Sequence, residues 1–180
     1  MRSETVRSLC AALVALLLAA CATPRFLSPA IDVEFELAGR IAVTYRDDAG
    51  SGNIAWRHAA GADEMLLTTP FGQGIARLAR AGNEVTLTVQ DGREFRAADA
   101  EALTEQVLGF RLPLLGLADW VRGRAAPGPA VARVDGEGRL AHLEQSGWRI
   151  EYLEYTGTLP SRLHLAYPGV QLRLAISAWK

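Results

Sequence analysis

Cys21 is the residue whose surroundings specify a chemistry. It follows Leu18-Ala19-Ala20, small residues of the kind a signal peptidase cuts after. These close an apolar run, Leu9 to Ala20, that begins behind Arg2 and Arg7 and is too short to span a bilayer as a helix. In this pattern, a bacterial lipobox, the thiol is the nucleophile that accepts diacylglycerol. The alternative is an ordinary exported protein with a chance cysteine. Of the two cysteines, Cys10 lies in the segment expected to be removed. The mature chain then keeps Cys21 alone and can form no internal disulfide. A lone thiol in an exported protein requires a reason, and lipidation supplies one.

The remaining candidates for chemistry are weak. His58, His142 and His164 each sit singly in a strand pattern, with no cysteine or second histidine at ligand spacing, so no metal is expected. His142 and Glu144 can share a strand face, usually a solvated arrangement. Ser51, Ser146 and Ser161 lie in turns without a nucleophile elbow. Asp47-Asp48 is a turn pair. Gly72-Gln73-Gly74 is followed by neither a lysine nor a helix and is no phosphate loop. An enzyme is unsupported, and no cofactor is expected. Removing residues 1–20 takes Arg2, Arg7 and Glu4 from 19 basic and 20 acidic side chains, leaving 17 and 19. No basic excess points to nucleic acid. Ala22, rather than Asp, after the anchor favours the outer membrane, by resemblance to Gram-negative lipoprotein sorting.

One stretch departs from what water tolerates. Met65 to Leu78 reads as a hairpin whose tip, Thr69-Pro70-Phe71-Gly72-Gln73-Gly74, carries Phe71 where a polar residue belongs. Pro70 fixes its own φ and removes a donor, while Gly72 and Gly74 permit positive φ. Phe71 is expected to be held outside the sheet. The competing reading folds it back onto the core.

The elements that position these residues follow from periodicity. Residues 1–20 read as a signal peptide, 21–33 as lipidated Cys and tether, and 34–180 as one domain. Phe35 to Tyr45 alternates strictly, a long strand with one apolar face. Asp47 to Gly52 is expected to be a turn, with Ile54 and Trp56 on one face beyond it. Val85 to Val89, Val131 to Val134, Leu140 to Gln145, Leu163 to Tyr167 and Val170 to Ile176 are further strands. Trp148, Ile150, Tyr152 and Glu154 are expected to share a face. Asp99 reads as an N-cap and Gly109 as the stop of a short amphipathic helix. A second helix, Pro113 to Arg122, is apolar on most sides through Leu114, Leu115, Leu117 and Trp120. About eleven strands with two mid-chain helices predict a mainly β fold, a curved antiparallel sheet or barrel with modest helical cover.

Several segments stand out in a fixed order: Leu37-Ala38-Gly39-Arg40-Ile41-Ala42-Val43, Gly52-Asn53-Ile54-Ala55-Trp56, Leu66 to Gly72, Leu108-Gly109 with Leu112-Pro113-Leu114, and Trp120-Val121-Arg122-Gly123. Gly147-Trp148-Arg149-Ile150, Leu159-Pro160 and Leu172 to Ile176 with Trp179 complete the set. Together they resemble the LolB family of outer-membrane lipoprotein receptors. The resemblance implies an incomplete antiparallel β-barrel with a helical lid over an apolar cavity. It further implies a monomer that receives lipoproteins from the periplasmic carrier LolA and places them in the outer membrane. The family's protruding loop carries an apolar residue directly after a proline, which falls on Phe71, flanked by Pro70 and Gly72. The family often has a longer helix before the first strand, and Arg25 to Val33 leaves room for a turn or two. Candidate acyl-lining residues are Ile41, Val43, Trp56, Leu114, Leu115, Leu117, Trp120 and Trp148. The alternatives are a closed core at those residues and, for the molecule, a LolA-like carrier or a structural outer-membrane lipoprotein acting as an assembly subunit.

Overall fold

The computed structural model of the chain describes residues 32–180. Cys21, the signal segment and the tether, up to residue 31, lie outside the described residues.

Alternating residues build a single antiparallel sheet. The first half comprises β1 (Phe35–Tyr45), β2 (Asp48–Ala59), β3 (Ala62–Thr68), β4 (Gly74–Ala81), β5 (Glu84–Val89) and β6 (Glu94–Ala97). Two helices follow, α1 (Ala100–Leu108) and α2 (Leu114–Trp120). The second half comprises β7 (Val131–Val134), β8 (Leu140–Gln145), β9 (Trp148–Thr156), β10 (Leu159–Tyr167) and β11 (Val170–Trp179). The spatial order β6-β5-β4-β3-β2-β1-β11-β10-β9-β8-β7 is two meanders joined where β1 pairs with β11. The edge strands β6 and β7 do not pair with each other, so the barrel is incomplete. They are consecutive in the chain, however, and the segment between them carries both helices. That connection has to cross the open side, which makes it a lid by topology.

Close approach of backbones shapes the junction between the two halves. A register shift falls between Ala38 and Gly39, where a Cβ on Gly39 would run into the Ala175 carbonyl of β11. Glycine there lets the two halves of the sheet meet.

Asp99 accepts a hydrogen bond from Ala102 N at 2.6 Å, and Gly109 turns left-handed at φ 80° to end α1, as the spacing predicts. The second helix is shorter than expected, Leu114–Trp120 rather than Pro113 to Arg122. The expected turn Asp47 to Gly52 shrinks to Arg46-Asp47, because Arg46 adopts φ 53° and Tyr45 pairs directly with Asp48. Polar, small residues resemble a turn in sequence, but here the ladder continues through them. Gly74 opens β4 and is not among the positive-φ glycines, whereas Gly72 is at φ 85°. Glu154 does not share the face of Trp148, Ile150 and Tyr152. A register shift in the β9–β10 pairing skips a residue, so Tyr155 turns inward and Glu154 pairs with Arg162 on the outside.

The core lies between the inner sheet face and the lid. Leu103 of α1, and Leu114, Leu117, Ala118 and Trp120 of α2, are buried against Trp56, Val85, Leu143, Trp148, Ile150 and Leu163.

Candidate functional site

Thr69 closes the tip of the β3–β4 hairpin. Its amide donates to Gln73 O at 2.8 Å, its carbonyl accepts from Gly72 N at 2.9 Å, and its hydroxyl accepts from Gln73 N at 3.1 Å. Pro70 and Phe71 are thereby the two central residues of a tight turn, with Pro at the position its fixed φ suits. All the closing bonds use the neighbours of Phe71, and its ring is 96% exposed. An isolated ring standing clear of the sheet is uncommon on a surface meant only for water.

Burial along the inner face is graded. On β1, Phe35 and Leu37 are buried, while Ile41, Val43 and Tyr45 are only half-buried. On β3 to β5 the same change runs from Met65 to Leu67, from Leu78 to Ala76, and from Val85 and Leu87 to Val89. Phe95 is half-buried for another reason: it pairs with Leu87, in the row of Leu78 and Met65, but stands on the edge strand β6. Antiparallel register aligns these changes. Asn53 pairs with both Arg40 and Thr68, so the Thr69–Gln73 loop leaves the sheet at the level where β1 passes from Leu37 towards Val43. The less covered apolar face therefore opens at the end of the sheet that carries Phe71. Leu67, Ala76 and Val89 join Ile41 and Val43 there. Sequence alternation marks them as inward-facing, but only strand pairing brings them to one mouth.

The lid edge beside that mouth is pinned lightly. Tyr45 OH donates to Gly109 O at 2.9 Å, and the Tyr45 and Phe110 rings lie 5.4 Å apart. Thr104 Oγ1 accepts from Leu112 N at 2.9 Å, tying the connection between the helices back onto α1. The far end of the lid is held more firmly. Trp120 Nε1 donates to Gln145 Oε1 at 2.8 Å, Tyr152 OH donates to Trp120 O at 3.0 Å, and Arg122 pairs with Glu34 at 3.0 Å.

The other sequence candidates fall in three places. Trp56, Leu114, Leu117, Trp120 and Trp148 are all buried in the packed interior behind the mouth. Leu115 differs from the expectation, being 61% exposed. Leu114, Leu117, Ala118 and Val121 take the inward positions of a helix only two turns long, and Leu115 falls off that stripe. It borders instead a groove of about 400 Å³ with Arg80, Glu101 and Arg111. Cys21 lies outside the described residues.

Each of the three histidines has a carboxylate beside it. His58 Nδ1 lies 2.6 Å from Asp63 Oδ1 inside a buried cluster. Trp56 Nε1 and Arg80 Nε donate to the same carboxylate at 2.8 and 2.5 Å. Burial pushes the Asp63 carboxyl up, but these hydrogen bonds outweigh it and hold the group below the usual carboxylate range. His142 lies 3.1 Å from Glu144, and His164 3.6 Å from Glu151. Among the described residues no cluster of three or more metal-ligating side chains occurs.

A crystal structure of a LolA superfamily protein from Nitrosomonas europaea superposes with a TM-score of 0.48 at 12% identity, covering 87% of each chain. The outer-membrane lipoprotein LolB of Azoarcus sp. (strain BH72) is 36% identical over 173 residues, 91% of this chain and 90% of that one. LolB of Thiobacillus denitrificans is 38% identical over 146 residues, 80% of this chain and 78% of that one. The family model described as outer membrane lipoprotein LolB matches residues 33–179, the whole of the sheet and its lid. The chain belongs to the LolB family.

Proposed function

We propose that this protein is an outer-membrane-anchored receptor that accepts acylated lipoproteins from the periplasmic carrier LolA and inserts them into the outer membrane. The observation that carries the reading is the apolar inner face that loses cover at the end of the sheet where Phe71 protrudes. Three acyl chains of ordinary length hold roughly 45 methylenes, and exposing them to water would cost on the order of 35 kcal/mol. A protein interior has to replace the bilayer during the crossing. Cys21, once acylated, holds the receptor at its destination. Ile41 and Val43 meet the chains at the mouth, and Trp56, Leu114, Leu117, Trp120 and Trp148 form the interior that receives them as the lid shifts. No nucleotide is required if affinity rises from carrier to receptor to bilayer. Phe71, presented by Pro70 and Gly72, enters the membrane and brings the mouth to the lipid surface.

The test uses the chain without its anchor, a loaded carrier and vesicles. The wild type is expected to take the lipoprotein from the carrier and deliver it to the vesicles. Phe71→Glu is expected to accept cargo normally and to lower delivery at least tenfold, because a carboxylate resists entry into hydrocarbon. Delivery by Phe71→Glu at the wild-type rate would refute the role of the loop. Failure of the wild type to accept cargo would refute the receptor reading itself.

A further inference from the structure

We propose that the outer face of β1 and β11 binds the phosphate of an anionic phospholipid headgroup beside the Phe71 loop, setting the depth to which the loop enters the bilayer. This rests on the membrane reading of Phe71. Register places three arginines around a low floor on that face. Arg40 and Arg162 stand on either side of Ala175, and Arg173 stands opposite Ala42. The two alanines leave room between the guanidinium stems, and the residues border a groove of about 450 Å³. Arg162 is matched by Glu154 at 2.7 Å. Arg40 and Arg173 are exposed and make no ion pair or side-chain hydrogen bond among the described residues. His164, opposite Arg173 on β10, has Glu151 at 3.6 Å. Two unmatched guanidiniums and a partly matched third suit a tetrahedral anion that accepts several N–H bonds at once.

The groove is tied to the loop. Asn53, opposite Arg40 on β2, donates Nδ2 to Thr69 O at 3.1 Å, and Pro70 itself borders the groove. When Phe71 enters the acyl layer, the arginines next to Pro70 come to the layer above it, where lipid phosphate is the abundant anion. An acidic protein surface is the competing occupant. It offers carboxylates but gives no reason for an exposed apolar ring next to Pro70.

The buried core among the described residues and the family match over residues 33–179 both fall after Ala22, so the chain from Ala22 onward is the protein to use. Its co-sedimentation is measured with vesicles of phosphatidylcholine alone, and of phosphatidylcholine with about one third phosphatidylglycerol. The wild type is expected to bind the anionic vesicles more tightly, with a preference that fades as salt rises. Arg40→Gln/Arg173→Gln is expected to bind them roughly 30-fold more weakly while matching the wild type on phosphatidylcholine. Arg40→Lys/Arg173→Lys is expected to keep most of the preference. Arg133→Gln, on the edge strand β7, is expected to change nothing. The proposal is overturned if the wild type shows no anionic preference, if the glutamine pair binds anionic vesicles as the wild type does, or if Arg133→Gln costs as much. Unchanged vesicle binding with lost uptake from the carrier would assign the groove to an acidic protein instead. Phe71→Glu tests the underlying reading separately: it should weaken binding to both kinds of vesicle, whatever the arginines do.

Discussion

Asp63 carries three donors on one buried carboxylate. Asp63→Asn would keep the shape but leave Arg80, itself buried, without its counter-charge. A loss of roughly 3–5 kcal/mol is expected, read as a fall in the urea midpoint. The pH dependence has a definite sign. The folded carboxyl titrates below its unfolded value, so the stability it contributes is present above about pH 4 and is lost as pH falls through the lowered value. Urea melts of the wild type should therefore weaken below about pH 4, and Asp63→Asn should flatten that slope. Gly109 is a second such point. Its φ of 80° disfavours any side chain, and a Cβ would lie 2.8 Å from the Tyr45 hydroxyl. Gly109→Ala is expected to cost about 1–2 kcal/mol. Part of that penalty should disappear in a Tyr45→Phe background, where the hydroxyl it strikes is gone. Strict additivity in that double-mutant cycle would contradict the contact.

At the scale of elements, α2 and the loop after it form the fixed end of the lid. Gln145 binds in two directions there. Its Oε1 accepts from Trp120 Nε1 and from Ala126 N at 2.9 Å, and its Nε2 donates to Ala126 O at 2.7 Å. Gln145→Leu would strand an indole N–H and two backbone groups and is expected to destabilise the protein by about 2–3 kcal/mol. Tyr152→Phe removes one bond to the Trp120 carbonyl, and about 1–2 kcal/mol is expected from thermal melts. By contrast, α1 packs against β5 and β6 with Leu103 and Thr104 buried, and Tyr45 OH reaches the Gly109 carbonyl at its end. The side-chain hydrogen bonds that tie the lid to the sheet are thus concentrated at the α2 end.

At the scale of the whole molecule, an open sheet with a strap across it has two stability levels. The central strands β2, β1 and β11 are paired on both sides, and β1 with β11 ties the first sheet residues to the last. Their amides should exchange only on global unfolding. The amides of α1 lie on a segment that crosses from one edge strand to the other, and they are expected to exchange at least a hundredfold faster than those of β1. Equal protection would mean that the lid opens only when the protein unfolds, and passage of acyl chains beneath it would then need another route. The outward valines of β7, Val131 and Val134, lie on the other edge and bear on neither measurement.

What could be known from the chain alone was local. Strict alternation marks the strands, because the pleat repeats every two residues. Asp99 and Gly109 mark a helix, because its ends need a side-chain acceptor and a left-handed stop. Pro70 and Gly72 make Phe71 conspicuous, because their backbone preferences hold it at a turn tip. The ordered run of segments from Leu37 to Trp179 was enough to identify the family. What needed the folded molecule was everything set by pairing across distance. The skipped residue at Leu153 reverses Glu154 and Tyr155, and no local pattern announces it. Nor does alternation say that Leu67, Ala76 and Val89 share a mouth with Ile41, or that Arg40 and Arg173 flank one groove. Those neighbours are chosen by antiparallel register, which sums the packing of eleven strands and cannot be read from any one of them.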